Sequence, residues 1–587
     1  MKYLTTINSP EDVKKLSLDE LTVLAQEMRE ALIHRVSNYG GHFAPNFGMV
    51  EMTIALHYVF NSPQDKFVFD VSHQTYPHKM LTGRKEGYLD ENHFNDISGY
   101  TNPEESEHDF FNIWHTSTSI SLATGLAKAR DLKGDHENII AIIGDGSLSW
   151  GEALEWLDFA GSELNSNFII IVNDNEQSIA ENHGWIYKNL AELRETNGTA
   201  ENNFFRAMGL DYRYENEGNN IEKLITFFQS VKDIDHPIVG HIHTQKGKGY
   251  PLAEQNKEAW HWVSPFDPET GKSKFSFTGE DYATLTADFL LQEIEKDKTL
   301  TVVTPAMPMT IGFTKENREK AWSQFVDTWI TEEQAVAFIS WIGKNGGKAV
   351  LGTNATFIQR SYDQISQDLC LNNNPATILL NYSSVWGLND VTHLGIFNSA
   401  LFSNIPNLIL LAPTCKKEYF SMLNWSIHQR KHPVMITLPG NGVIDDHRTF
   451  SEDYDNINTF HIDQSWEKVA ILALGDFYQM GAKLANLIER DLGFKPTLIN
   501  PRFVSGIDQK VLESLKDTHE LVITLEDGIL EGGFWYKIAS YYGPTTIKVK
   551  NYGLEKKFYD RFNADQLLDA LWITPEKMIQ EIEKILS

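Results

Sequence analysis

Two short apolar runs, one β-α-β unit apart, constrain the fold of this chain more than anything else in it. The first, Ile139-Ile140-Ala141-Ile142-Ile143, stops at Gly144-Asp145-Gly146-Ser147; the second, Phe168-Ile169-Ile170-Ile171-Val172, stops at Asn173-Asp174-Asn175. Runs rich in β-branched residues, with no polar alternation, read as strands buried on both faces, as in a parallel sheet covered by helices. Trp150 to Glu163, with Ala153, Leu154, Leu157 and Ala160 at helical spacing, supplies the crossover. Ligands of open parallel sheets sit just past the carboxyl ends of strands, where Asp145 and Asn175 fall. A carboxylate and an amide oxygen suit a hard divalent cation, which would in turn hold phosphate oxygens. Gly144 and Gly146 let backbone approach a phosphate closely.

At 587 residues the chain is too long for one core. A formal net charge of −29 argues against a nucleic-acid partner and against an anionic membrane surface. The two cysteines, Cys370 and Cys415, form no CxxC, so neither a disulfide framework nor a zinc site is expected. No apolar run approaches the length of a membrane span, and no signal peptide is evident after Met1, so a cytoplasmic protein is expected.

Taken in order, residues 11 to 36 carry a helical apolar pattern, followed by Gly40-Gly41-His42 and a helix from Met49 to Phe60. Phe67 to Val71 reads as a strand ending at Ser72-His73-Gln74, and Trp114-His115-Thr116-Ser117-Thr118-Ser119 opens a helix with hydroxyls suited to capping. Residues 176 to 203 read as a loop with a short helix, and Pro237 to His243 as a strand leading into Thr244-Gln245-Lys246-Gly247. The expected fold is three doubly wound α/β domains, at residues 1–275, 276–445 and 446–587, with polar linkers at Asp267 to Lys274 and at 442 to 465. No Gly-x-Gly-x-x-Gly follows any strand, which sets a nicotinamide dehydrogenase aside.

Gly-Asp-Gly and Asn-Asp-Asn are common turns singly; paired at these strand ends they resemble the metal-diphosphate motif of thiamine diphosphate enzymes. The chain resembles the transketolase-like 1-deoxy-D-xylulose-5-phosphate synthase family from near residue 10 to near 560. The densest stretches are Gly40 to Asn61, Asp70 to Gln74 with Ser72 in place of a glycine, Tyr76 to Lys79, Thr356 to Gln364 and Thr392 to Gly395. The resemblance implies thiamine diphosphate and Mg²⁺ as cofactors, with Asp145, Asn175 and Gln177 on the metal. His73, His115, Ser117, Gly144, Gly146, Ser147, Asn175 and Lys246 would line the diphosphate side. Phe357 would lie against the aminopyrimidine ring, and Glu332 aligns with the glutamate that bonds the pyrimidine nitrogen, Glu333 beside it being the alternative for the same role. His42, His73, His261 and His393 match histidines that move protons or orient substrate. Pyruvate and an aldehyde such as glyceraldehyde 3-phosphate are the implied substrates, in a homodimer with each site between the first two domains of one subunit. The alternatives are a paralogue with a different donor or acceptor, or a cofactor-binding protein that has lost catalysis.

The chain departs from the family pattern where substrate is gripped. The family holds the aldehyde's phosphate with arginines in an Arg-Ala-Gly and an Arg-Tyr-Pro-Arg-Gly segment. Here these are Tyr382-Ser383-Ser384 and Ile436-Thr437-Leu438-Pro439-Gly440, which contain no arginine. A phosphate without guanidinium partners loses charge pairing and geometry, so glyceraldehyde 3-phosphate is expected to be an inefficient acceptor. Trp114, Trp150, Trp329 and Trp386 add bulk at motif positions, and Gln334, Asn354 and Asn389 replace a histidine, a tyrosine and an aspartate. A reshaped, more apolar pocket is expected.

Overall fold

The structure, a computed structural model, describes residues 1–179, 181–275 and 279–587. The chain divides into two compact units, Met1–Thr278 and Gly279–Ser587.

In the first unit Gly41–His42 (β1) pairs antiparallel with Trp262–Val263 (β7). The main sheet has Lys66–Phe69 (β2), Ile139–Gly144 (β3), Phe168–Asp174 (β4), Asp211–Glu215 (β5) and Pro237–His243 (β6), ordered β2-β3-β4-β6-β5 and parallel throughout. Successive side chains of a strand point to opposite faces, and the apolar runs feed two cores accordingly. Ile140, Ile142, Ile169 and Ile171 join one cluster with Leu32, Leu56 and Phe228. Ile139, Ala141, Ile143, Ile170 and Val172 join the other with Ala123, Leu157 and Leu193. The crossover between β3 and β4 is the helix Gly151–Glu163.

Three expectations are corrected. The pattern over 11 to 36 is two helices, Pro10–Val13 and Leu18–Tyr39. Ser17 starts the second, its hydroxyl accepting from Glu20 N–H while the Glu20 carboxylate accepts from Ser17 N–H. The strand β5 was not anticipated; its Asp211 to Glu215 alternates polar and aromatic residues at the sheet edge. The helix Ser119–Lys133 is not capped by a hydroxyl: Thr118 makes no side-chain cap bond. The Asp70 carboxylate, at the end of β2, accepts instead from Ser117 N–H at 2.8 Å and Ser119 N–H at 3.1 Å. The two oxygens of one carboxyl thus satisfy two backbone N–H groups at the helix N-terminus, which a single hydroxyl does not.

The second unit holds two sheets. Leu300–Thr304 (β8), Phe325–Asp327 (β9), Lys348–Asn354 (β10), Ala376–Asn381 (β11), Ile409–Leu411 (β12) and Pro433–Thr437 (β13) form a parallel sheet in the order β12-β13-β11-β10-β8-β9. His461–Gln464 (β14), Lys468–Ala473 (β15), Thr497–Asn500 (β16), His519–Ile529 (β17) and Lys548–Leu554 (β18) form the other, ordered β14-β16-β15-β17-β18, with β14 antiparallel. One apolar core is common to both, joining Leu351 and Leu380 to Leu472, Val522 and Phe534. The carboxyl ends of β11, β12, β13, β15 and β17 open onto one small cavity.

Candidate active site

In the first unit the sheet's strand ends collect the candidate residues. Asp145 and Asn175 follow β3 and β4 and are 98% and 92% buried. Burial, and next the charge of Asp174, push the Asp145 carboxyl well above the usual range, while Lys246 opposes them. Burial would raise Asp174 as well, but His241 and Arg194 hold it down, at about 2. His241 Nε2 lies 2.8 Å from its carboxylate, and Arg194 donates to the same oxygen at 2.5 Å. Asp174 is thus neutralised by its own neighbours and Asp145 is not. Asn182 Nδ2 donates to Asp145 Oδ2 at 2.7 Å. The Asn175 side-chain oxygen is buried with no hydrogen-bond partner.

Gly146 is required by close packing: a Cβ there would lie 2.5 Å from the Ser178 Cβ. Ser117 and Ser147 are brought together, Ser117 Oγ donating to Ser147 O at 2.6 Å. Gln177 is half-buried, its amide donating to Ile179 O at 3.1 Å. Lys246 is buried, which lowers its ammonium to about 7. It donates to Ser178 O at 2.5 Å and lies 3.1 Å from His261 Nδ1.

Three of the predicted histidines form a cluster. Ring centroids are 4.9 Å apart for His42 and His73, 5.5 Å for His42 and His261, and 5.4 Å for His73 and His261. The β1–β7 ladder explains the first and last: His42 pairs with Trp262, beside His261. Gly41 permits this turn, since its φ is 131° and a side chain would strike Tyr76 Oη at 2.7 Å. Burial, and then the neighbouring Lys246, depress His73 to about 3 and His261 well below its ordinary value. Both rings are therefore neutral at physiological pH. His115 is half-buried, two residues before Ser117.

Sequence reasoning missed the residue that holds this cluster. Asn46 Nδ2 donates to both His42 O and His73 O, at 2.9 and 2.8 Å, and its oxygen accepts from Tyr76 N–H. Its signal was its place four residues after His42, within the densest motif. Trp114 stacks on Tyr100 at 3.6 Å, and Tyr100 meets His42 edge-on at 5.6 Å, so the added tryptophan does border the histidines. Trp386 instead packs on Phe477 and donates to Asp565.

In the second unit Glu332 opens the helix Glu332–Lys344 and is 96% buried; Glu333 beside it is half-exposed. Burial raises the Glu332 carboxyl to about 7, against the opposing charge of Arg360 at 3.7 Å. Phe357, just past β10, meets the His393 ring edge-on at 5.6 Å. Thr356 Oγ1 donates to Thr392 O at 2.9 Å, and His393 Nδ1 lies 2.9 Å from Asp390 Oδ1, so the two motifs support each other. Trp329 has φ 60°, a conformation that favours glycine.

The residues fit the implied cofactors. Asp145 is a buried carboxylate without an ionic partner of its own, and Asn175 has an orphaned amide oxygen; both suit a hard cation. Lys246 is a buried ammonium that an anion would relieve. Among the described residues no group of three or more His, Cys, Asp or Glu could hold a metal.

A family model described as 1-deoxy-D-xylulose-5-phosphate synthase matches residues 4–202. Models described as the transketolase pyrimidine binding domain and the transketolase C-terminal domain match 279–442 and 459–578. These matches define the class: a transketolase-like, thiamine diphosphate-dependent transferase. The chain is 34% identical to the 1-deoxy-D-xylulose-5-phosphate synthase of Clostridium beijerinckii over 100% of both chains. It is 34% identical to that of Natranaerobius thermophilus, over 96% of this chain and 93% of the relative. With synthase 1 of Geobacter sulfurreducens it shares 35% over 100% and 97%. Among solved structures it is similar to the transketolase of Leishmania mexicana, with 14% identity, TM-score 0.45, and coverage of 96% and 97%. The chain belongs to the 1-deoxy-D-xylulose-5-phosphate synthase family.

Proposed function

We propose that the protein catalyses the family's two-carbon transfer. The C1–C2 bond of pyruvate breaks and releases CO₂, C2 bonds to the carbonyl carbon of an aldehyde, and the aldehyde oxygen takes a proton to become a hydroxyl. With glyceraldehyde 3-phosphate the product is the one for which the curated relatives are named.

Asp145, Asn175 and the Gln177 carbonyl would hold Mg²⁺, and Lys246 the diphosphate, with His73, His115, Ser117, Gly144, Gly146 and Ser147 lining that end. Bound thiamine diphosphate supplies a nucleophilic carbon that stores the electron pair left when CO₂ departs. The chain's own work is to place and move protons. Glu332, poised by burial to carry a proton near pH 7, would hold one on the pyrimidine nitrogen, and Phe357 would orient that ring. His73 and His261 are neutral rings able to donate from one nitrogen while accepting at the other, and with His42 against both the cluster suits orienting substrate oxygens and passing the final proton. His393, fixed by Asp390, would serve the same end from the second unit. The protein would work as a homodimer in the cytoplasm; among the described residues no helix is long and apolar enough to cross a membrane.

The observation that carries this reading is the pairing of an uncompensated buried Asp145 with a buried Lys246 beside an orphaned Asn175 oxygen. The test is CO₂ release from pyruvate with thiamine diphosphate and Mg²⁺, with and without an aldehyde. Release that requires both cofactors and rises with aldehyde is expected. No release in the presence of bound cofactor would sink the proposal.

A further inference from the structure

Two acids stand at the ends of β3 and β4, and the chain treats them differently. Asp174 is met by an imidazole and a guanidinium, His241 Nε2 at 2.8 Å and Arg194 Nη1 at 2.5 Å. Asp145, 98% buried, is met instead by a neutral amide: Asn182 Nδ2 donates to its Oδ2 at 2.7 Å. A guanidinium in that place would pair with the charge that a cation needs. An amide fixes the carboxylate and leaves its charge in place.

Asn182 is itself held at its other end. Its Oδ1 accepts from Ser178 N–H at 3.0 Å, which turns the amide nitrogen toward Asp145. Ser178 packs against Gly146, beside Asp145, and an antiparallel bridge pairs Gln177 with Glu181. After Asn182 the helix Trp185–Glu195 reaches back to both strand ends: Tyr187 Oη donates to Gly146 O at 3.1 Å, and Arg194 is the partner of Asp174. The amide thus meets Asp145 from a backbone braced on both sides. Ser178 also accepts from Lys246 Nζ at its carbonyl, so one residue joins Asn182, through its N–H, to Lys246, through its C=O. Carboxylates that bind metals are commonly hydrogen-bonded in turn, and the partner sets the direction in which the remaining oxygen points.

We propose that Asn182 is a positioning residue of the metal site: it holds one oxygen of Asp145 so that the other is presented to Mg²⁺. The inference rests on the reading of Asp145 as a metal ligand and adds a residue that acts through it. It is tested on the full chain by calorimetric titration of Mg²⁺, and separately of Ca²⁺, in excess thiamine diphosphate, for the unaltered protein and Asn182→Ala. Mg²⁺ demands near-ideal octahedral geometry, whereas Ca²⁺ accepts flexible arrangements of oxygen ligands. Asn182→Ala is therefore expected to raise the Kd for Mg²⁺ by about tenfold or more and that for Ca²⁺ by about threefold or less. The change in metal preference is the signature, since a merely structural role would weaken both metals alike; thermal melting of the metal-free variant checks its fold. Equal weakening of the two metals, or no weakening, overturns the inference and leaves the metal reading of Asp145 standing. Tighter Mg²⁺ binding by the variant also overturns it, because Asn182 would then be competing with the cation. Absence of Mg²⁺ binding by the unaltered protein with thiamine diphosphate present overturns both.

Discussion

The turn that carries His73 allows a prediction in which two costs oppose each other. Val71 and Ser72 have φ of 56° and 62°, and Ser72 stands where the family pattern has glycine. A side chain in the left-handed region costs about 1–2 kcal/mol, so Ser72→Gly should recover roughly that much. The hydroxyl works against it. Ser72 is fully buried; its Oγ donates to Ile113 O at 2.5 Å and accepts from Thr101 N–H at 3.0 Å. Removing it leaves a buried carbonyl and a buried N–H without these partners, at about 1–3 kcal/mol each. Ser72→Gly should therefore destabilise by about 1–3 kcal/mol even though it restores the family residue, and Ser72→Ala, which keeps the strained Cβ, by about 1 kcal/mol more. Hydrogen exchange of the segment around Thr101 reads this directly, because each 1.4 kcal/mol is about a tenfold change in protection. Protection should fall in the order wild type, glycine variant, alanine variant. A glycine variant better protected than wild type would refute the argument, and so would an alanine variant equal to the glycine one.

Asp145→Asn should abolish most of the stabilisation that Mg²⁺ and thiamine diphosphate confer together. For the unaltered protein this is about 2.7 kcal/mol at a hundredfold excess over Kd, read as a thermal shift; an unchanged shift would remove Asp145 from the metal site. Glu526 is fully buried, accepts from Phe534 and Trp535 N–H, and is raised by burial from 4.5 to about 7. A carboxyl raised on folding contributes stability below its unfolded pKa that is lost as pH rises through the folded value. Urea unfolding should thus show wild type losing up to about 3 kcal/mol relative to Glu526→Gln between pH 4.5 and 8, and parallel curves would contradict the assignment.

What the sequence made legible is what short-range pattern determines. Ile139 to Ile143 and Phe168 to Val172 lack polar alternation, and each run does feed cores on both sheet faces. Glu332 and Glu333 look alike in the sequence; only packing shows that the first is buried and the second half-exposed. Contacts between distant segments were not legible. Asn46 gathers His42 with His73, and Asp70 takes the helix cap that three hydroxyls seemed placed to make. The helix at Ser119 is capped from 49 residues away because β2 ends against it, a fact of topology rather than of local propensity. Nor could the sequence show that Asp476 and Asp527, some fifty residues apart, line the same cavity as Ser384.

A metal and a diphosphate would fix their surroundings by charge: a buried Asp145 and a buried Lys246 are each unfavourable alone, each partly relieves the other, and a bound cation and anion would relieve both further. Two acids, Asp476 and Asp527, line the cavity of the second unit, and one Asp476 oxygen has no hydrogen-bond partner there. Burying carboxyls costs free energy unless something pairs with them.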